Sequence, residues 1–245
     1  MATRLARPHQ LDPRGATDPC RTCDARAISV CNAVPDADIA RLASIAAVTE
    51  VPAGQGFIDE GEPANCFFNI TAGTAKLFKL LPDGRRQITG FVGPGHFLGL
   101  AVSATYAFSA EAVERVRFCR FQRAALRHLL DEFPLMEKRL LEAAATELVA
   151  AQEKMLLLGR KTARERLASF LLMQSRQGLP CGHARRQFKL PMTRSDIADY
   201  LGLTIETVSR TLTRLRSERV IEIVSQSELL IEDPAGLERL AGGLR

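Results

Sequence analysis

Residues 193–216 read TRSDIADYLGLTIETVSRTLTRLR, which spells two short helices joined by a tight turn. Thr193 followed three residues later by Asp196 is the acidic form of a capping box and opens the first helix. Ile197, Ala198 and Leu201 give that helix one apolar face. Gly202 can adopt the left-handed backbone that ends it, and Thr204 can cap the next. In the second helix Val208, Leu212 and Leu215 recur at spacings of four and three, so they face the core. Glu206, Ser209, Arg210 and Thr213 remain on the outer face, the first three towards its amino-terminal end. In a helix-turn-helix those positions reach base edges in the major groove of double-stranded DNA. Arginine can bridge O6 and N7 of a guanine, and glutamate accepts from the cytosine amine. Spacing alone leaves a second reading open: a surface helix in which Glu206 and Arg210 form an ordinary i, i+4 ion pair.

The flanking residues extend this motif into a winged helix. KTARERLASFLLMQS is an amphipathic helix with Leu167, Phe170 and Leu171 inward, and QGLPCGHARRQ is a loop. FKLPM can form a strand before the motif, and RVIEIVSQSELLIED after it reads as a two-stranded wing with a polar tip. The last stretch, AGLERLAGGLR, is a short helix with no visible role. Charge follows the same division. Of the 33 Lys+Arg and 28 Asp+Glu, residues 160–245 hold 15 and 10, so the net charge of +5 resides entirely in this part. That is the distribution of a neutral domain joined to a phosphate-binding module. Arg194, Thr211, Thr213, Arg214 and Arg216 are candidate contacts to the DNA backbone, which position a protein without specifying sequence.

A length of 245 residues, with 46% hydrophobic and 25% charged, describes a soluble globular chain with room for two domains. MATRLARPHQLDPRG has no apolar core of a signal peptide, and no run of about 18 apolar residues occurs. The expectation is a cytoplasmic protein without a membrane partner. Neither a P-loop nor HExxH is present, and His9, His96, His128 and His183 are scattered, which argues against an enzyme.

Upstream, the chain from Cys31 to Asp131 has the punctuation of a β-roll. Nine of the 17 glycines fall between Gly54 and Gly99, separating short apolar runs, and Pro82-Asp83-Gly84 is a hairpin turn. Pro134 to Leu158 is helical. Leu141, Leu148 and Met155 are seven apart, and Ala144, Ala151 and Leu158 fall three after each, an a/d seam that either joins two copies or packs on its own domain. Gly159 reads as the break that ends it.

Residues 1–19 lack periodicity and read as a mobile tail. Cys20-Arg-Thr-Cys23 follows, with Cys31 beyond it. Three thiols this close, among polar and small residues, suit a soft metal centre rather than a core. Paired CxxC or a downstream His pair, the usual zinc pattern, is missing, whereas iron–sulfur clusters accept irregular spacing and need four thiolates. The fourth could be Cys66 in NCFFNI, where a small buried thiol is the plain reading, Cys181 in the loop, or Cys119 in VRFCRFQ at the end of the last strand.

ADYLGLTIETVSRTLTRL resembles the recognition motif of the CRP/FNR superfamily of bacterial transcription regulators, in particular its oxygen-sensing FNR/FixK branch. In that branch the helix carries E-x-x-S-R, matched by Glu206, Ser209 and Arg210. The resemblance implies an α+β chain with four parts. These are a cysteine-containing segment (1–32), a cyclic-nucleotide-binding-type β-roll (33–133), a long dimerisation helix (134–159) and a winged helix-turn-helix (160–245). It implies a homodimer on a palindrome of the form TTGAT, four base pairs, ATCAA, working with RNA polymerase. Oxygen-sensing members carry an amino-terminal cysteine trio and one more cysteine at the position of Cys119. The implied cofactor is therefore a [4Fe–4S] cluster on Cys20, Cys23, Cys31 and Cys119. Nucleotide-binding members carry a Glu and an Arg-Ser pair where this chain has Leu100 and Phe108-Ser109, so cAMP is not an expected ligand. Gln152 stands where FNR has an aspartate in the dimer seam, which implies a dimer that persists without the cluster. A FixK-like regulator without iron and a zinc-stabilised DNA-binding protein are the alternatives.

Overall fold

The computed structural model describes residues 9–10, 19–100, 104–177 and 184–243. Most of the expected tail, together with Cys181 and His183, lies outside them. The chain divides into two compact units. One comprises residues up to Leu80 with Thr89–Glu147, and the other Leu81–Ile88 with Leu148–Arg245.

The first unit opens with β1 (His9–Gln10), then two 3-10 turns (Asp24–Ile28 and Val30–Ala33) and α1 (Ile39–Ile45). Then come β2 (Ala46–Val51), β3 (Gly56–Ile58), β4 (Cys66–Ala72), β5 (Ala75–Leu80), β6 (Arg86–Val92), β7 (Phe97–Leu98), β8 (Ser109–Ala112) and β9 (Val116–Gln122). The unit closes with α2 (Arg123–Glu132) and the first half of α3 (Pro134–Arg160). The strands form two sheets, ordered β1-β2-β9-β4-β7 and β3-β8-β5-β6. This is the jelly-roll pattern expected from the glycine punctuation. The turn between β5 and β6 is also as expected, with the Leu81 N–H donating to the Arg85 carbonyl at 2.8 Å. Gly73 shows why one glycine is required. Its φ is +80°, and a Cβ there would stand 2.2 Å from the Arg115 carbonyl oxygen.

Three features differ from the reading of the sequence. His9–Gln10, read from sequence as tail, pairs with Glu50 and Thr49 as an edge strand, a role that backbone groups fill without any side-chain pattern. The turns and α1 precede the roll, where no helix was expected. Their apolar residues Val30, Ile39 and Leu42 are buried, but the pieces are too short for a periodic signal. Finally, α3 runs through Gly159 to Arg160. A single glycine costs a helix interior only about 1 kcal/mol, so it weakens α3 without breaking it.

Strand alternation gives the five-stranded sheet two different faces. Val48, Asn69 and Cys119 are register partners on one face, beside Phe67 and Phe121. Thr49, Ile70 and Phe118 are partners on the other, beside Phe68 and Arg120. Each face has its own apolar cluster. The first gathers Phe67, Phe121, Leu126, Leu129 and Met136, and the second Val51, Phe68, Ile70, Val116 and Phe118.

The second unit holds the rest of α3, then α4 (Ala163–Arg176), β10 (Gln187–Lys189), α5 (Arg194–Leu201), α6 (Ile205–Ser217), β11 (Ile221–Ser225), β12 (Glu228–Ile231) and α7 (Pro234–Ala241). Thr162 and Glu165 form a capping box that starts α4, and Leu167, Phe170 and Leu171 are buried as expected. The wing is a three-stranded sheet, β10-β12-β11. The terminal helix, without a visible role in the sequence, closes the domain. It lies against α4 with Leu237 fully buried, and Lys161 Nζ donates to the Ala241 carbonyl at 2.8 Å.

Candidate nucleic-acid interface and thiol cluster

The helix-turn-helix is built by local chemistry. The Thr193 N–H donates to Asp196 Oδ2 at 3.0 Å and the Asp196 N–H donates to Thr193 Oγ1 at 3.0 Å, so both halves of the capping box are made. Gly202 takes φ +61° and ends α5, and the Thr207 N–H donates to Thr204 Oγ1 at 3.2 Å to start α6. Val208, Leu212 and Leu215 are buried. Glu206, Ser209, Arg210 and Thr213 are exposed on the opposite side, which is the arrangement required of a recognition helix. Its own backbone N–H and the Thr204 side chain hold the Glu206 carboxyl below its ordinary range, with a smaller contribution from Arg210. Glu206 is thus a carboxylate acceptor at the helix tip.

The candidate backbone contacts separate into kinds. Arg216 is exposed. Arg194 is half-buried at the start of α5, and that burial lowers its pKa. Arg214 donates to Glu218 at 2.9 Å, and Arg164 meets the same carboxylate, so its charge is already engaged within the domain. Thr211 and Thr213 turn their hydroxyls onto the Thr207 and Ser209 carbonyls of their own helix, at 2.7 and 3.0 Å. One positioning residue was missed by sequence reasoning. Arg166 donates to the carbonyls of Leu158 (2.8 Å), Lys161 (2.9 Å) and Leu201 (2.9 Å), joining the ends of α3 and α5 through groups their helices leave unpaired. An arginine on an amphipathic helix carries no local signal of such a role.

In the first unit Cys20, Cys31 and Cys119 are buried in one apolar cluster, and Cys23 is half-buried beside them at the start of the first 3-10 turn. Cys119 lies in the middle of β9, not at its end. Burial pushes its thiol up to about 12, and the neighbouring Cys20, Cys31 and Cys23 push in the same direction. Burial likewise pushes Cys31 up to about 11. The Asn69 side chain, 1% exposed, donates to Cys31 Sγ at 3.7 Å. Arg26 fastens the segment by donating to the Val34 carbonyl at 2.7 Å. Among the described residues, no three His, Cys, Asp or Glu side chains are disposed to close on a single metal ion. Cys66, expected to be buried, is half-exposed because β4 begins there.

Along α3 the expected seam is exposed: Leu141 73%, Leu148 62% and Met155 72%, with Ala144 and Ala151 also exposed. Val149 and Leu156 widen the stripe, while Leu158 is half-buried next to Gly202 and so is partly drawn away from it. Leu100 is exposed, and Ser109 Oγ accepts from the Glu60 N–H at 3.0 Å. No helix among the described residues is long and apolar enough to cross a membrane.

Residues 165–240 match the family described as the Crp-like helix-turn-helix domain, and residues 48–133 the family described as the cyclic nucleotide-binding domain. The chain is 40% identical over 231 residues to the nitrogen fixation regulation protein FixK of Bradyrhizobium diazoefficiens, covering 94% of this chain and 96% of that one. It is 36% identical to the transcriptional activator protein FnrL of Cereibacter sphaeroides, with 91% and 92% covered. Among solved structures it is similar to FixK2 from Bradyrhizobium japonicum, with a TM-score of 0.74 and 35% identity over 80% of this chain and 97% of that one. Recognition helix, wing, β-roll and full-length similarity agree: the chain belongs to the CRP/FNR family of transcription regulators, as a DNA-binding activator of the FixK/FNR type.

Proposed function

We propose that this regulator responds to oxygen, binding a TTGAT/ATCAA-type palindrome as a homodimer while Cys20, Cys23, Cys31 and Cys119 hold a [4Fe–4S] cluster. The observation that carries the reading is the common neighbourhood of those four thiols, three from the amino-terminal segment and one from mid-β9. The donor set fits such a group. Four thiolates bind four different iron atoms, so they stand further apart than the ligands of one ion. When bound, the cluster supplies an oxygen-reactive centre. The chain's own part is mechanical. Cys119 anchors the site to the sheet, and the other three bring residues 20–31 to it. Arg26 and the buried Val30, Val34 and Ile39 keep that segment seated.

At the other end Glu206, Ser209 and Arg210 read bases and the α3 stripe joins the two copies. RNA polymerase is the partner at the promoter, the cytoplasm is the working compartment, and cAMP has no part. Arg210→Ala should cost about 1–3 kcal/mol of operator affinity and relax specificity at one base pair per half-site. A uniform loss across all sequences would make Arg210 a phosphate contact instead.

Protein purified without oxygen should contain iron and inorganic sulfide, and should bind the operator more tightly under argon than after exposure to air. Equal affinity in both would reject oxygen control. The FixK-like alternative draws on the similarity to FixK. Protein that carries no iron yet binds the palindrome would establish it.

A further inference from the structure

The face of the five-stranded sheet opposite the thiols holds a second group of residues that the regulator reading does not use. This face packs Val51, Val116, Phe118, Phe68 and Ile70 into the roll, yet polar residues stand among them. Thr49 stands opposite Phe118, and Arg120 stands opposite Phe68. Thr49 is 1% exposed and its hydroxyl has no hydrogen-bond partner among the described residues. Arg120 is half-buried, close enough to Cys66 and Tyr106 to act on both, and has no ion-pair partner among the described residues. A buried hydroxyl and a partly desolvated guanidinium are both costly when left unmatched.

Both side chains line a cavity of about 280 Å³. Its inner wall is aromatic: Phe57 and Phe118 stack with centroids 4.8 Å apart, and Phe68 meets Phe118 edge-on at 5.4 Å. Tyr106 is already satisfied, donating to the Cys66 carbonyl at 2.9 Å and accepting from the Cys66 N–H at 3.1 Å. Thr49 and Arg120 are therefore the groups left to receive something. Asp59 and Glu62 are exposed at the rim, where their charge disfavours a polyanion more than a monoanion. Leu100, Phe108 and Ser109, which stand at the cyclic-nucleotide positions, are not part of the wall.

The geometry points to a binding site for a small aromatic carboxylate, its ring on the Phe57, Phe68 and Phe118 wall and its carboxylate meeting Arg120 and the Thr49 hydroxyl. The size suits a single ring with a short acid arm, below the usual range for larger ligands. The charge-assisted contact to Arg120 selects the acid over its neutral alcohol.

The test uses the full-length protein with benzoate and phenylacetate as probes, and benzyl alcohol and inorganic phosphate as controls. Calorimetric titration should show saturable binding of at least one acid and none of either control. Arg120→Met should weaken it by roughly tenfold or more and Thr49→Val by several-fold. Because Cys66 lines the same cavity, the bound acid should also slow its alkylation by N-ethylmaleimide, read by peptide mapping of the unmutated protein. That measurement, together with Arg120→Lys, decides the matter if Arg120→Met does not fold. No saturable binding of either acid, equal binding of benzyl alcohol, or affinity unchanged by Arg120→Met would overturn the site.

Discussion

Leu148→Glu should convert the proposed dimer into a monomer and lower affinity for the full palindrome by about a hundredfold or more, with half-site binding little changed. Leu148 sits mid-helix in the apolar stripe of α3 and is 62% exposed in the single chain, flanked one heptad away by Leu141 and Met155. Burying each such side chain against a second copy contributes about 1.5–3 kcal/mol. A carboxylate at the same place would face its own symmetry mate in a desolvated seam, so the substitution removes the gain and adds repulsion. Sedimentation with and without operator DNA measures both effects. A variant that sediments as a dimer would place the interface elsewhere. Gln152, uncharged and exposed on α3, adds no such repulsion, so air-exposed wild-type protein is expected to sediment as a dimer.

The second large effect is expected inside the DNA-binding unit. Leu212 is 2% exposed on the inward face of α6, between Val208 and Leu215. Truncation to alanine should destabilise this unit by about 2–5 kcal/mol, from lost transfer energy plus the cavity left behind. That is a large share of the roughly 5–15 kcal/mol available to a domain. Thr213→Ala, one residue away but exposed, should change stability by about 0.5 kcal/mol or less. Urea unfolding of the two variants compares them directly, and a loss below about 1 kcal/mol for Leu212→Ala would mean that α6 is not held by this contact.

What the chain discloses in one dimension depends on how local the physics is. Thr193 with Asp196, Gly202 and Thr204 each act within four residues, so both ends of α5 and the start of α6 were readable and are found as read. The apolar stripe of α3 through Leu141, Leu148 and Met155, exposed in the single chain, follows its seven-residue repeat. The carboxy-terminal end of α3 was not readable, because the carbonyls of Leu158 and Lys161 are met by Arg166, whose helix begins after the end itself. Cys23 precedes the first 3-10 turn and Asp38 precedes α1, neither with a side-chain cap, so they offered no punctuation to find. Bringing Cys119 beside the amino-terminal trio requires β9 to pair with β2 and β4, an arrangement of distant segments that only resemblance to a family suggested. Arg120 was passed over for the complementary reason: in VRFCRFQ it alternates with apolar residues like any surface arginine, and only the closed roll turns that position inward.

Cys119 and Arg120 are adjacent along β9, yet the first belongs to the thiol compartment and the second to the aromatic chamber. A sliding of β9 by a single residue against its neighbours would exchange them, seating a guanidinium among sulfurs and a thiol among phenyl rings. The strand is thus a partition whose alignment both compartments require. Loop-length changes between β8 and β9 that disturb this pairing should therefore damage the two together, however far from either they are made.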